Sequence, residues 1–325
     1  MDTPGARSAV EPPASRGAPW GRALLRAVLG VLLLGFLAVL VRRFLDLREF
    51  LATLTEFERV YLAPILLLAL SYYLLKALRW HYYLALAGVR VPLRRSASAY
   101  LAGQWFTFTP GGELVRAYLL GAGAAFAPVA ATVIVQALLD FTSLALVATV
   151  AVGFYPVLAP VVLPVTLPLL GTMALLAAPP LHGWLAAGPP TRWLKRHERW
   201  ERLVSAFQLL GPRPTAVGLL LGIPTVLVGG LALYLAGVAI RLPRWDVVQA
   251  EGVYALSQLL GGISPLPQGL GVTEASGTAL LGYLGLDPAE ALAAIVLYRA
   301  AVLGFSAVLG LLGFLQLRLD RDSPR

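Results

Sequence analysis

Six stretches of this chain are apolar over roughly 20 residues each, the length at which a helix crosses the hydrocarbon core of a bilayer. They cover 23–41, 60–78, 128–152, 156–178, 215–240 and 288 to about 317. A water-soluble core of this size could not hide them all. Apolar residues make up 58% of the chain and charged residues 13%, where soluble domains carry about 25% charged residues. The runs are continuous and lack the alternation of a transmembrane barrel. The expected fold class is an all-α polytopic membrane protein.

Between these spans lie two apolar segments that are broken in the middle. One covers 96–121 and the other 247–283. Each arm is too short to span, so both read as re-entrant helical hairpins. The expected architecture is six full transmembrane helices plus two re-entrant hairpins. Residues 1–22 read as a disordered terminus, rich in Pro, Ala and Arg. The run 23–41 is too long for a signal peptide and closes on Arg42-Arg43, so it reads as a retained span. Residues 44–57 suit a short amphipathic helix at the interface. The span at 60–78 ends on Lys76, Arg79 and Trp80, which read as interface anchors. Residues 192–210, with Trp193 and Trp200, suit a basic amphipathic helix on the membrane surface. Asp287-Pro288-Ala289-Glu290 is a helix start, with Asp as cap and Pro at the first helical position. One membrane domain over 23–317 is expected, divided into a first half at 23–178, a loop at 179–214 and a second half at 215–317. A charged tail at 318–325 completes the chain.

Basic residues give an orientation. With the N-terminus inside, the inner segments (1–22, 76–95, 179–213, 318–325) hold 17 Lys and Arg, and the outer ones (42–59, 241–247) hold 6. That bias predicts cytoplasmic N- and C-termini. It also makes the two hairpins enter from opposite sides, an inverted repeat.

The first hairpin turns at Pro110-Gly111-Gly112-Glu113-Leu114-Val115-Arg116. Pro and Gly break the helix, and a helix restarting near Gly112 would offer free N–H groups to an anion. Arg116 lies one turn beyond Glu113 on the same face. Gln104 and Thr109 add polar partners. A phosphate head group fits this set, so Arg116, Glu113, Gly111, Gly112, Gln104 and Thr109 form the expected binding group. A second reading stands beside it: Glu113 and Arg116 neutralise each other, and the glycines serve tight packing.

The second hairpin turns at Pro267-Gln268-Gly269-Leu270-Gly271-Val272-Thr273-Glu274. Each turn is followed by a span with an ionisable residue, Asp140 in one half and Arg299 in the other. Broken segments at matching places in two halves point to a midplane transport site. Asp140, Glu274, Arg299, Gly269, Gly271 and Thr273 are therefore the expected path or gating residues. Glu274 and Arg299 also read as an ion pair locking the second hairpin to the last helix. Asp140 should face the bundle interior and have a partner. Glu251, Gln258 and Gln136 are weaker candidates. Tyr72, Tyr73, Tyr82 and Tyr83 read as interface or core rings.

Other chemistries lack their residues. The chain has no cysteine and three scattered histidines, so no metal site and no cofactor are expected. No catalytic constellation is visible. The net charge of +9 belongs to cytoplasmic loops, and no nucleic-acid recognition module is present.

The two turn motifs, Arg79-Trp80 and Arg299 together resemble the transmembrane region of lysylphosphatidylglycerol synthases and related stand-alone flippase-like bacterial membrane proteins. The likeness covers about 23–317. Two departures stand out. The family often has Glu-Arg before the Asp of the third span, where this chain has Gln136-Ala137. Gln268 replaces a Gly of the second turn. Lysyl-transferring members carry a large soluble domain after the membrane part, and none follows here. The resemblance implies a bacterial inner-membrane protein that handles or translocates lipid without aminoacyl transfer. Its expected partners are membrane lipids carrying an anionic head group. Two other functions stay open. One is an enzyme or accessory subunit acting on glycosylated or polyprenyl lipids. The other is a scaffold for a separately encoded lipid-modifying synthase; a second copy of the chain or that enzyme is a further expected partner.

Overall fold

The computed structural model describes residues 55–107, 112–120, 126–178 and 209–322. The first expected span at 23–41 lies outside the described residues, as do all but the last three residues of the interfacial segment at 44–57 and all but the last two of the basic helix at 192–210. So do Thr109, Pro110 and Gly111 of the first turn.

The described residues form nine α-helices and no strand. They are α1 (Leu62–Leu86), α2 (Leu93–Gly103), α3 (Val115–Leu119), α4 (Phe126–Phe154), α5 (Ala159–Ala177), α6 (Pro212–Ala239), α7 (Val247–Ile263), α8 (Val272–Tyr283) and α9 (Pro288–Asp322). Five of them, α1, α4, α5, α6 and α9, form segments long and apolar enough to cross a membrane. Each coincides with an expected span. The protein is a multi-pass helical membrane protein.

Two boundaries differ from expectation. Helix α1 does not stop near Leu78 but runs on to Leu86. Arg79 and Trp80 are fully buried, so they are not interface anchors. An Arg79 terminal nitrogen donates to Asp140 and the Trp80 indole N–H to Thr132 inside the bundle, and the helix has no reason to end there. It ends instead at Gly88, whose φ of +76° suits a left-handed cap. With Lys76 and Arg79 moved into a span, the loop bias becomes 15 against 6 and keeps its sign. At the other end, α9 continues past Leu317 to Asp322. The Arg318 guanidinium lies 4.9 Å from the ring of Phe314, one turn back, and extends the last helix.

Helix starts follow their caps. Asp246 Oδ1 accepts from the N–H groups of Val248 and Gln249 at 2.8 and 2.9 Å and opens α7. Asp287 Oδ1 accepts from Ala289 N–H at 2.7 Å and opens α9. Both satisfy donors that no carbonyl could reach.

The helices pair in an exchanged pattern. Helix α1 packs on α6. Helix α2, the first arm of the first broken pair, packs on α9. Helix α7, the first arm of the second pair, packs on α4. Each broken pair is therefore held by the long helix of the opposite half. Exchanging the halves maps α1 onto α6, α2 onto α7 and α4 onto α9, and returns the same pairings. Small residues on α6 make the close approaches possible. A Cβ on Gly218 would strike Tyr83 and Leu139, and one on Gly222 would strike Ser143 and Arg79.

Candidate functional site

The charged residues near the middle of three spans converge. Tyr72, Lys76, Arg79 and Tyr83 follow one another at spacings of four, three and four, so they share one face of α1. That face meets α4 at Asp140. Lys76 Nζ lies 2.9 Å from Asp140 Oδ2, and an Arg79 terminal nitrogen donates to Oδ1. Arg79 is fully buried. Lys76 and Asp140 keep 17% and 26% side-chain exposure, all that a cavity provides. Lys76 Nζ also donates to Tyr72 Oη at 3.1 Å. Gln136 Nε2 donates to the Lys76 carbonyl at 3.0 Å and fastens α4 to α1.

Arg116 is held beside this group. It is 4% exposed. Its guanidinium lies 5.3 Å from the Trp80 ring and 5.1 Å from the Tyr100 ring, over a pair of adjoining aromatic rings. One terminal nitrogen donates to Glu113 Oε2 at 3.2 Å. Glu113 is the open member of the pair, with 56% of its side chain exposed. Gly103 makes room, since a Cβ there would come within 3.0 Å of Arg116 Cβ. The helix after the turn is shorter than expected. A single 3-10 turn over Gly112–Leu114 leads into the five residues of α3. So short a helix gathers little dipole, and Arg116 carries the positive charge of this motif.

The second turn reaches the same place from the other half. Gln268 adopts φ +54°, Gly269 +62° and Gly271 +83°. Gly269 is required by closeness as well, because a Cβ would meet the Gly261 backbone at 2.6 Å. Glu274 Oε2 accepts from Gly271 N–H at 2.7 Å and begins α8. Its Oε1 lies 2.9 Å from Arg299 Nε, close enough for an ion pair but without hydrogen-bond alignment. Arg299 also donates from a terminal nitrogen to the Gln268 carbonyl at 2.8 Å. The Gln268 side-chain amide donates to Thr107 Oγ1. That bond ties the two broken pairs together.

Two adjoining cavities result, of about 210 and 80 Å³. Tyr72, Tyr73, Lys76, Glu113, Asp140 and Gln268 line both. Arg299, Gln258, Tyr254 and Tyr298 line the larger. Arg116, Gln104 and Gln136 line the smaller. Gln104 also holds the Tyr100 carbonyl at 3.3 Å. Of the expected path residues, Asp140 and Arg299 face the cavities. Glu274 stands behind Arg299. Gly269, Gly271 and Thr273 shape the turn and do not line the space, and Thr273 is buried against Gly261. Gly112 is buried. Among the described residues no group of His, Asp and Glu could hold a metal ion.

Sequence reasoning missed Lys76 and Arg79 as members of this site. The signal was present: two cations on one face of an apolar helix, with a lone carboxylate on another. Tyr72 and Tyr73 are cavity walls, while Tyr83 is a core ring whose hydroxyl donates to the Pro214 carbonyl at 2.6 Å. Four cations (Lys76, Arg79, Arg116, Arg299) meet three carboxylates (Glu113, Asp140, Glu274). Several guanidinium nitrogens, Nε and Nη1 of Arg79, Nε of Arg116 and Nη1 of Arg299, are buried without a hydrogen-bond partner among the described residues.

Compared with known families, residues 24–310 match the lysylphosphatidylglycerol synthase TM region. No curated protein matches the chain. The chain belongs to the lysylphosphatidylglycerol synthase transmembrane family.

Proposed function

We propose that this member of the family binds the anionic head group of a membrane lipid in the paired cavities and moves it between leaflets. The observation that carries the reading is an excess of buried cations around a polar space in the middle of the bundle. Charge at that depth is costly and marks substrate paths. Both broken pairs and both long helices contribute to it. A phosphate would accept from guanidinium donors that lack partners among the described residues, and would share the Lys76 ammonium with Asp140. Lys76, Arg116 and Arg299 are the proposed contacts, with Glu113 and Asp140 as exchangeable counter-charges. The step is binding and passage, with no covalent chemistry. The two broken pairs act as re-entrant hairpins entering from opposite sides. The basic-residue bias supports cytoplasmic termini in a bacterial inner membrane.

The test is leaflet exchange of labelled phospholipid in proteoliposomes holding the full chain. A hydrogen bond to a charged group contributes about 1.5–3 kcal/mol, so Arg116→Ala and Lys76→Gln should each slow exchange roughly tenfold or more. Both variants are compared at matched folding, judged by elution and thermal transition. Anionic lipids should compete with the label better than zwitterionic ones. Equal rates for wild type and both variants would refute the assignment.

A further inference from the structure

One half-buried carboxyl lies away from those cavities and has no part in the lipid-handling reading. Glu251 is on α7, just over one turn from the Asp246 cap. Its Oε2 is buried and has no hydrogen-bond partner among the described residues. The carboxyl sits in a notch at Gly230 of α6, where an added Cβ would collide with it. It also lines a separate cavity of about 350 Å³.

The walls of that cavity are otherwise apolar. Val147, Val150 and Phe154 come from α4, Ile223 and Leu227 from α6, and Val248 from α7. None of these three helices sends a titratable or charged group into it besides Glu251. The nearest acid in sequence, Asp246, is occupied in capping α7 and in accepting from Tyr155. An ionised carboxylate here would give up hydration at Oε2 and gain neither a cation nor a donor there among the described residues. A neutral carboxylic acid avoids that penalty beside the apolar walls of the cavity. Other intramembrane carboxylates of this chain have cationic partners within reach: Asp140 has two and Glu274 has one.

We propose that Glu251 is a proton-binding site, a carboxylic acid at rest whose ionisation expels it from the Gly230 notch. The ligand is the proton itself. The consequence is a seam between α6 and α7 that responds to pH.

Two measurements on the full chain in lipid nanodiscs test this, and failure of either overturns it. First, infrared difference spectra between wild type and Glu251→Gln at neutral pH should show a carboxylic C=O stretch that the variant lacks. No lost band means that Glu251 is ionised. Second, wild-type protein is treated with the apolar reagent dicyclohexylcarbodiimide, and the adducts are mapped by mass spectrometry. The acid O–H adds across one C=N bond, nitrogen takes the proton and nothing leaves, so the peptide gains the whole reagent mass. Glu251 should be labelled, and labelling should fall about tenfold per pH unit above its midpoint, as the neutral fraction does. Glu58, ion-paired with Arg241 and solvent-facing, is the internal comparison and should label far less. Labelling that is absent at Glu251, or that does not fall with rising pH, overturns the proposal. Neither readout involves lipid exchange, so failure here leaves the lipid-handling reading where it stands.

Discussion

Replacing Asp140 by asparagine removes one charge and strands two. Arg79 has no exposure and would keep its charge, since a guanidinium does not deprotonate in proteins. Removing one partner of a buried ion pair costs about 3–5 kcal/mol. Asparagine still offers an oxygen, which argues for the lower end at Arg79. Lys76 faces the cavity with 17% exposure, and a partly hydrated pair of this kind contributes about 1 kcal/mol at most. The sum is a loss of about 3–4 kcal/mol. The assay is reversible unfolding in mixed micelles, followed by tryptophan fluorescence, since Trp80 sits one residue from Arg79. A double-mutant cycle isolates the pair: Arg79→Met with Asp140→Asn should recover about 2 kcal/mol relative to the sum of the single changes. Additivity within about 0.5 kcal/mol, or a single-variant loss under about 1 kcal/mol, would refute the idea that Asp140 neutralises a buried cation.

Three further outcomes follow from the same geometry. Gly222→Ala places a Cβ against Ser143 and 2.6 Å from an Arg79 terminal nitrogen; it should destabilise by about 1–3 kcal/mol in the same unfolding assay, as overpacking does. Gln268→Gly trades the bond to Thr107 for relief of a left-handed backbone, so its stability should stay within about 1 kcal/mol of wild type, while Gln268→Val loses the bond and adds strain and should fall by about 2 kcal/mol. Tyr155 lies between two spans and donates to Asp246, which raises its pKa above the ordinary tyrosine value. A raised folded pKa gives stability that is whole below about pH 10 and is lost as pH rises through the folded value. Alkaline titration of the thermal transition should show a larger loss in wild type than in Tyr155→Phe.

The spans were legible because length and hydropathy alone decide whether a helix can cross a bilayer. Asp140 was legible as a residue in need of a partner. Which partner was not, because the cations of α1 sit where a span was expected to end. Lys76 and Arg79 looked like the edge of an apolar run, and a one-dimensional profile cannot tell a snorkelling cation from a buried one. The Arg299–Glu274 pair was legible from the paired motifs. The tie from Gln268 to Thr107 was not, since it joins residues far apart whose side chains are individually unremarkable. The stacking of Arg116 on Trp80 and Tyr100 was equally hidden, because the rings come from two other helices. Gly269, Gly271 and Thr273 were rightly singled out as a turn but do not line the space it bounds.

The exchanged pairing of the long helices sets an order of events during synthesis. Helix α2 packs against α9, the last helix described. A chain entering a membrane from its N-terminus therefore makes the first broken pair long before its partner exists. Until α9 arrives, Trp105 lacks the Gly310 surface it packs on, and the Ser98 backbone lacks the close approach of Gly313. The second pair has no such wait, because α4 is already in place when α7 is made. Docking of the first broken pair is thus a late step with non-local contacts, and such steps are slow. A nascent chain stopped before residue 288 should leave Trp105 without the Gly310 surface and be open to proteolysis near it.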